Sequence, residues 1–529
     1  MKKTIYTLLS AALCLGSFHM PTAQAATHTD QVSQQKRPNI LYIMSDDHAI
    51  RAISAYKSDI AKLAPTPNID RLANEGTLFM RNYCANSLCG PSRATVLTGT
   101  HSHINGFMAN DGKTHFNGNQ PTIANILRKN GYQTAVIGKW HLISNPVGFD
   151  HWEILHDQGE YNNPDFITKD GTHQEKGYVT SIITKKCENW LDHRDKSKPF
   201  FLMMHHKAPH RNWVPDAKNY HLYEDIHFPV PSNYFDDYKG RVAAGKQEMS
   251  IARDMYEGHD LKMVRGIDSD SLLYDRWPQV FFGRMTKEEK QEFLDAYRER
   301  NNEFYSKKRS PKEIAIWKYE RYMQEYLATI HSVDESVGEI YDYLKRNNLL
   351  DNTIVVYTSD QGFYTGEHGW FDKRWMYEES YRMPLMIRDP FIKAKGKKIN
   401  ALTQNIDFAP TFLDMCGVKA PEIMQGKSFL GLMDGSVSEK NWRKYLYYHF
   451  YEYPGFHSVH RHDGVSDARY KLLDFYQDGN YEMYDLKTDP TEMHNIFGKK
   501  KYAATQARLM KALQQQRDYY KVPKKLYSK

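Results

Sequence analysis

The chain has 529 residues, 40% of them hydrophobic and 26% charged, with five cysteines and a formal net charge of +7. That composition excludes a disordered, fibrous or disulfide-stapled chain, and the length suffices for one large globular domain plus a smaller one. The modest positive charge does not call for nucleic acid and suits an acidic substrate.

The start, MKKTIYTLLSAALCLGSFHMPTAQA, has the three parts of a secretory signal over residues 1–25. Lys2 and Lys3 form the charged end, Ile5 to Phe18 the apolar run, and Ala23-Gln24-Ala25 the cleavage site. The apolar run is too short to span a bilayer and no later segment approaches that length, so no stable membrane insertion is expected. Cys14 follows Leu13, a poor fit to lipid attachment. A periplasmic or secreted protein is expected; losing two lysines takes its charge from +7 to +5. Cys84, Cys89, Cys187 and Cys416 survive processing and leave room for one disulfide.

Asn39 to Met44 reads as a buried strand that stops at two aspartates. Pro67 opens a helix closed by Gly76 in the usual C-terminal glycine position. Cys89, Pro91, Ser92 and Arg93 then lead into a helix running through Val96. A second unit joins a helix from Pro121 to Gly131 to a strand from Gln133 to Gly138, followed by "KWH". A third joins a helix from Val179 to His193 to a strand from Phe200 to Met204, followed by "HHKAPH". The region from about residue 215 to 318 is charged and aromatic with weak periodicity, and no element is assigned there. A fourth unit has Val333, Val337, Ile340 and Leu344 on one helical face, then a strand from Thr353 to Thr358, then "SDQG". Near Lys440 the pattern changes to short antiparallel strands, two of them joined by the hairpin turn "QDGN", and a helix from about Ala503 to Tyr520 closes the chain.

Alternating strands and helices predict an α/β fold whose mainly parallel sheet is covered on both faces. Residues 36–435 form the expected catalytic domain and 436–529 a small α+β subdomain with an antiparallel sheet. The polar clusters all fall just beyond the C-terminal ends of apolar strands, the edge where open α/β sheets bind ligands.

Asp46 and Asp47, with Asp360 and Gln361, offer four oxygen ligands from two strand ends. Oxygen donors without thiolate or imidazole favour Ca²⁺ or Mg²⁺ over zinc. Lys139 and His141 in "GKWHL" lie two apart and suit an anion and a proton. His205, His206 and His210 offer another imidazole, with one of the earlier two reading as a packing residue. Lys373 sits in "FDKRW". Cys89 stands at a helix N-terminus, where free N–H groups favour an anion, so both a thiolate nucleophile and a buried structural cysteine remain open.

The stretch "CGPSRATVLTG" resembles the signature C-x-P-S-R of the sulfatase family, with its leucine-threonine-glycine end. The likeness continues through "SDDH", "TPNIDRLANEG", "GKWHL", "APH", "SDQG", "GEHGW", "DKR" and "DPTEMHNI". The resemblance implies an alkaline-phosphatase-like fold. It also implies oxidation of Cys89 by a maturation enzyme to formylglycine, whose hydrate is the nucleophile. Arg93 would stabilise that hydrate, while Asp46, Asp47, Asp360, Gln361 and one oxygen of modified Cys89 would bind Ca²⁺. The family more often has Asn or His where Gln361 stands.

By the same resemblance Lys139 and Lys373 neutralise the sulfuryl oxygens. His210 protonates the departing sugar oxygen, and His141 takes the proton that expels sulfate. Asp372, Arg374 and His457 are the expected sugar-binding residues, with Tyr453, His460 and Arg461 beside them as a lid. The pattern is most similar to exported bacterial sulfatases that remove 6-O-sulfate from N-acetylglucosamine in glycosaminoglycan or mucin fragments. A sulfatase for another sugar position is the alternative, followed by a phosphate or phosphonate ester hydrolase of the same broad fold.

Overall fold

The computed structural model describes residues 37–393 and 395–528; the expected signal at 1–25 lies outside them. The large sheet has ten strands: β1 (Asn39–Ser45), β2 (Thr77–Phe79), β3 (Gln133–Lys139), β4 (His151–Leu155), β5 (Asp165–Thr168), β6 (Gly171–Gln174), β7 (Phe200–His205), β8 (Thr353–Ser359), β9 (Leu385–Arg388) and β10 (Lys397–Ile399). They lie in the order β10-β2-β9-β8-β1-β7-β3-β4-β5-β6. The five central strands β8, β1, β7, β3 and β4 are parallel. Antiparallel strands flank them, with β9 beside β8 and β5 and β6 beyond β4.

Eight helices matter to the site and its support: α1 (Pro67–Glu75), α2 (Cys89–Thr98), α3 (Ile123–Lys129), α4 (Val179–His193), α5 (Lys287–Ser306), α6 (Pro311–Arg346), α7 (Phe408–Met415) and α8 (Ala503–Tyr519). Alternate residues of β1 divide between two cores, as the two-residue period of a strand dictates. Ile40, Tyr42 and Met44 pack with Val96, Leu127 and Phe412 from α2, α3 and α7. Leu41 and Ile43 pack on the opposite face with Leu72, Ile183, Val337 and Ile340 from α1, α4 and α6. The predicted helical faces around Ile183 and Val333 are those that meet the sheet.

Two local expectations need correction. Gly76 does follow α1, but its φ of −133° and ψ of −137° are not the left-handed cap. A Cβ there would stand 2.2 Å from the carbonyl oxygen of Ile387, so close strand packing, not a turn, excludes a side chain. Cys84, Cys89, Cys187 and Cys416 are all free, so the bridge for which the sequence left room is absent among the described residues.

The second sheet is antiparallel, in the order β11 (Leu446–Phe450), β12 (His462–Ser466), β13 (Tyr470–Phe475) and β14 (Asn480–Asp485). One face, through Tyr447, Val465, Leu472 and Met483, receives Leu509 and Leu513 of α8. The other face, through Tyr448, Phe450, Leu473 and Phe475, joins the main core beside Trp375 and Met376. The small sheet therefore backs the loop that contains Lys373. Among the described residues no helix is long and apolar enough to cross a membrane.

Candidate active site

β1 and β8 run in parallel with Ser45 opposite Ser359, so Asp46-Asp47 and Asp360-Gln361 leave the sheet side by side. Asp47 turns through a positive φ of 67°, and its N–H donates to Asp360 Oδ1 at 3.2 Å. Oxygens of Asp46, Asp47 and Asp360 lie within 4.8 Å of one another, and Asp46 also groups with Cys89 and His210. Burial raises the carboxyl groups of Asp47 and Asp360, and the other aspartates raise them further. Burial acts the same way on Asp46, but Lys139, His210 and Arg93 together hold it well below the usual range.

Asp46 Oδ1 and Gln361 Oε1 are buried without a hydrogen-bond partner. Two orphaned oxygens beside three crowded carboxylates are what a hard divalent cation would satisfy, and no thiolate or imidazole is needed to complete the donor set. The residues present fit such an ion.

Cys89 is the first residue of α2. Burial raises its thiol, Lys373 opposes this and Asp46 adds to it, leaving the group well above an ordinary cysteine. A ready thiolate, one of the two readings left open, is disfavoured by that setting. One turn on, Ser92 Oγ donates to the Asp360 carbonyl and accepts from Asn405 Nδ2 at 2.9 Å. Arg93 sends Nε and Nη2 to Asp360 Oδ2 at 3.2 and 3.0 Å, and Nη1 to the Lys139 carbonyl at 2.8 Å. The helix is thus fastened to the ends of both β8 and β3.

Lys139 ends β3 and its Nζ bonds Asp46 Oδ2 and, at 2.5 Å, Gln158 Oε1. The Gln158 amide nitrogen meets His141 Nε2 at 3.0 Å. Because Lys139 takes the amide oxygen, the NH₂ group must face His141, so the ring accepts at Nε2. Burial and then Lys139 lower the His141 imidazole well below its usual value, which keeps it neutral. His210 directs Nδ1 to the Arg211 carbonyl at 2.7 Å and places Nε2 3.8 Å from Asp47 Oδ2. His205 and His206 are both buried packing residues, bonded to the Lys139 carbonyl and to Ser336.

Lys373 reaches both oxygens of Asp47 at 2.7 Å. Its neighbours Asp372 and Arg374 have φ of 76° and 94°, and they pair with each other at 3.1 Å. His457 Nε2 lies 3.2 Å from Asp372 Oδ2 and Arg374 Nη1 lies 3.0 Å from Glu452 Oε1. The three expected sugar-binding residues therefore form one run beside Lys373. The lid residues behave differently: His460 pairs with Asp478 at 2.6 Å, and Arg461 holds the carbonyls of Tyr451 and Tyr453.

Two residues in contact with the site carry no signal in the sequence, since Gln158 and Glu452 sit in loops without a motif; Ser92 lies within the quoted signature, but nothing there shows its bond to the Asp360 carbonyl. Only the ordering of "GKWHL" and "DKR" across the fold exposes the first two.

Residues 38–418 match the family described as Sulfatase, and residues 366–519 match "N-sulphoglucosamine sulphohydrolase, C-terminal". The chain is 47% identical over 532 residues to a protein of Bacteroides thetaiotaomicron named N-acetylglucosamine-6-O-sulfatase, covering 98% of this chain and 92% of that one. An arylsulfatase of Clostridium perfringens is 26% identical, covering 88% and 91%. Among solved structures, BT4656 in complex with its substrate D-glucosamine-2-N,6-O-disulfate superimposes with a TM-score of 0.88 at 48% identity, over 92% of this chain and 98% of that one. A phosphonate monoester hydrolase of Silicibacter pomeroyi shares the fold at a TM-score of 0.67 and 21% identity, over 91% and 95%.

Proposed function

The chain belongs to the sulfatase family, and on that premise we propose that it removes the 6-O-sulfate of a terminal N-acetylglucosamine in glycosaminoglycan or mucin fragments. The observation that carries this reading is the single buried cluster joining Cys89, the aspartates of β1 and β8, Lys139 and Lys373. The near-full-length relation to an N-acetylglucosamine-6-O-sulfatase supports the choice of sugar.

Asp46, Asp47, Asp360 and Gln361 would hold Ca²⁺ together with modified Cys89. When present, the ion would supply positive charge beside the reacting oxygens, and water added to the formylglycine aldehyde made from Cys89 would supply the nucleophilic hydroxyl. The remaining work falls to the chain's own side chains. Arg93 fixes Asp360 and adds charge beside residue 89. Lys139 and Lys373, each already lying on a ligand carboxylate, present ammonium groups to the sulfuryl oxygens.

His210 donates through Nδ1 to the Arg211 carbonyl, so the proton it hands to the departing sugar oxygen is a second one, taken up at Nε2 on the side of Asp47. His141, neutral and accepting at Nε2, is the base that takes a proton when sulfate leaves. Asp372, Arg374 and His457 hold sugar hydroxyls and the N-acetyl group.

The signal at 1–25 directs the chain to the periplasm or exterior, after a maturation enzyme has acted on Cys89. The division at 435/436 separates a catalytic domain from a subdomain that buttresses the Lys373 loop. Peptide mass spectrometry should find residue 89 as an aldehyde. A panel of 2-, 3-, 4- and 6-sulfated sugars should then show preference for the 6-sulfated hexosamine. An intact thiol in fully active protein sinks the mechanism, and preference for another position sinks the substrate.

A further inference from the structure

The loop that contributes His457 carries a second feature. Phe456 is 40% exposed, and its ring stacks on Trp277 with centroids 5.8 Å apart and 28° between planes. The Arg276 guanidinium lies 5.2 Å from the centroids of both rings. It lies 5.5 Å from Tyr256 and donates to that hydroxyl. Asp275, next in sequence, turns to His259 at 3.0 Å, and Arg276 forms no ion pair among the described residues. Arg211, the other cation of the cluster, is already engaged by Asp260 in two bonds of 2.7 and 2.5 Å. One exposed guanidinium therefore rests among aromatic rings with its charge unanswered.

This platform is continuous with the catalytic loop. Phe456 precedes His457, His457 lies 3.2 Å from Asp372, and Asp372 precedes Lys373. Arg211, which follows His210, approaches the rings of Phe371 and Phe456 at 4.9 and 5.9 Å. Through Asp372, His457 and Arg211 the aromatic surface thus adjoins the loop that carries Lys373.

We propose that Trp277, Phe456 and Arg276 form a subsite for the sugar adjoining the sulfated hexosamine, and that Arg276 selects an acidic one, a hexuronic acid or a second sulfated residue. The inference rests on the reading of the active site given above. Aromatic faces pack against the apolar C–H face of a pyranose, and an arginine held over rings keeps its planar donor edge for a carboxylate or sulfate. Fixing the guanidinium on the rings in advance lowers the ordering cost of binding.

Three substrates test this: 6-O-sulfo-N-acetylglucosamine alone, linked to a neutral hexose, and linked to a hexuronic acid. In the parent, kcat/KM should rise from the first to the third. Arg276→Ala should remove roughly tenfold on the hexuronic disaccharide, the scale of one charge-assisted contact, and leave the monosaccharide unchanged. Trp277→Ala should weaken both disaccharides, and Trp277→Phe should restore most of the loss. Equal rates on all three substrates, or equal losses on monosaccharide and disaccharide, would overturn the subsite while leaving 6-sulfatase activity standing. Calorimetry with the hexuronic disaccharide lacking 6-sulfate gives a readout free of turnover. Should no 6-sulfated sugar be cleaved, the earlier reading fails; binding by the parent that disappears in Arg276→Ala still supports the subsite, and no difference between the two overturns it.

Discussion

Glu452 accepts from Arg374 Nη1 through Oε1 and from the backbone N–H of Asn110 through Oε2, both at 3.0 Å. One carboxylate from the small sheet's loop thereby fixes Arg374, a residue proposed to bind the sugar, and the segment packed over Gly90, next to Cys89, since Asn110 Oδ1 would stand 2.6 Å from a Cβ on Gly90. Arg374 adopts an unfavourable φ of 94°, and its guanidinium is held between Asp372 and Glu452. Glu452→Gln should raise KM for the 6-sulfated sugar roughly tenfold and change kcat little, as expected when an interaction equal in ground and transition states is lost. Steady-state kinetics checks this, and an equal fall in kcat and kcat/KM would assign Glu452 to the chemical step instead.

The two buried oxygens without partners, Asp46 Oδ1 and Gln361 Oε1, lead to a prediction about metal removal. Chelation of divalent ions should lower the melting temperature and abolish activity, and added Ca²⁺ should restore both, because an ion bound only by the folded state stabilises it. Gln361→Ala removes one oxygen ligand, so more Ca²⁺ should be needed to reach the same melting temperature. An unchanged Ca²⁺ dependence in that variant would remove Gln361 from the ligand set.

Gln158 couples Lys139 to His141 by its two amide ends, at 2.5 and 3.0 Å. Gln158→Leu should lower kcat by roughly ten- to a hundredfold, the range seen when a supporting partner of a catalytic group is lost. KM should move little. Single-turnover measurements would locate the loss in release of sulfate rather than in cleavage of the sugar ester.

The architecture was legible because the central strands are apolar and end in charged clusters; the polar residues that follow β1, β3, β7 and β8 do meet. The edges of the sheet were not: β6 is exposed along its whole length and β10 has only Ile399 buried, so neither has a hydrophobic pattern to read. The helix α5 escaped for a similar reason, since only Phe293, Leu294, Tyr297 and Asn301 of its twenty residues are buried. Its capping box, Thr286 with Glu289, was a signal that the weak periodicity masked. The motif residues that converge at the sheet edge carried a pattern in the sequence, whereas the contacts of Gln158 and Glu452 arise only in the folded chain.

Asp236 accepts from Arg241 at 2.5 Å and pairs with His368 at 2.7 Å, tying the loop after residue 230 to the segment before Lys373. Burial raises its carboxyl, but His368 and Arg241 outweigh it and bring the group down to about 2. A carboxylate depressed in the folded state stabilises at pH above its unfolded value, near 4, and loses that contribution as pH falls through about 2. Allowing for partial solvent screening, the contribution at neutral pH is on the order of 1–2 kcal/mol. Asp236→Asn should be less stable than the parent by that amount in urea at pH 7. The gap should narrow below about pH 4, as the Asp236 carboxylate is protonated. A gap that fails to narrow there would contradict the ion-pair account.

Gly138, the residue before Lys139, has a φ of 105° and sits opposite His205 in the β3–β7 pairing. A Cβ at this position would lie 1.9 Å from the His205 carbonyl oxygen, so both the backbone conformation and the space refuse a side chain. The neighbouring strand cannot retreat without also moving His205 Nδ1, which holds the Lys139 carbonyl at 3.0 Å. Gly138→Ala should therefore cost more than about 3 kcal/mol and lower kcat in whatever folds, because Lys139 is displaced with the strand. Gly112→Ala separates the two causes: its φ is 68°, yet nothing stands within 4 Å of the added Cβ. That variant should lose only about 1 kcal/mol to backbone strain and keep full activity. Similar urea midpoints for the two variants would mean that β3 and β7 yield easily and do not hold Lys139 rigidly.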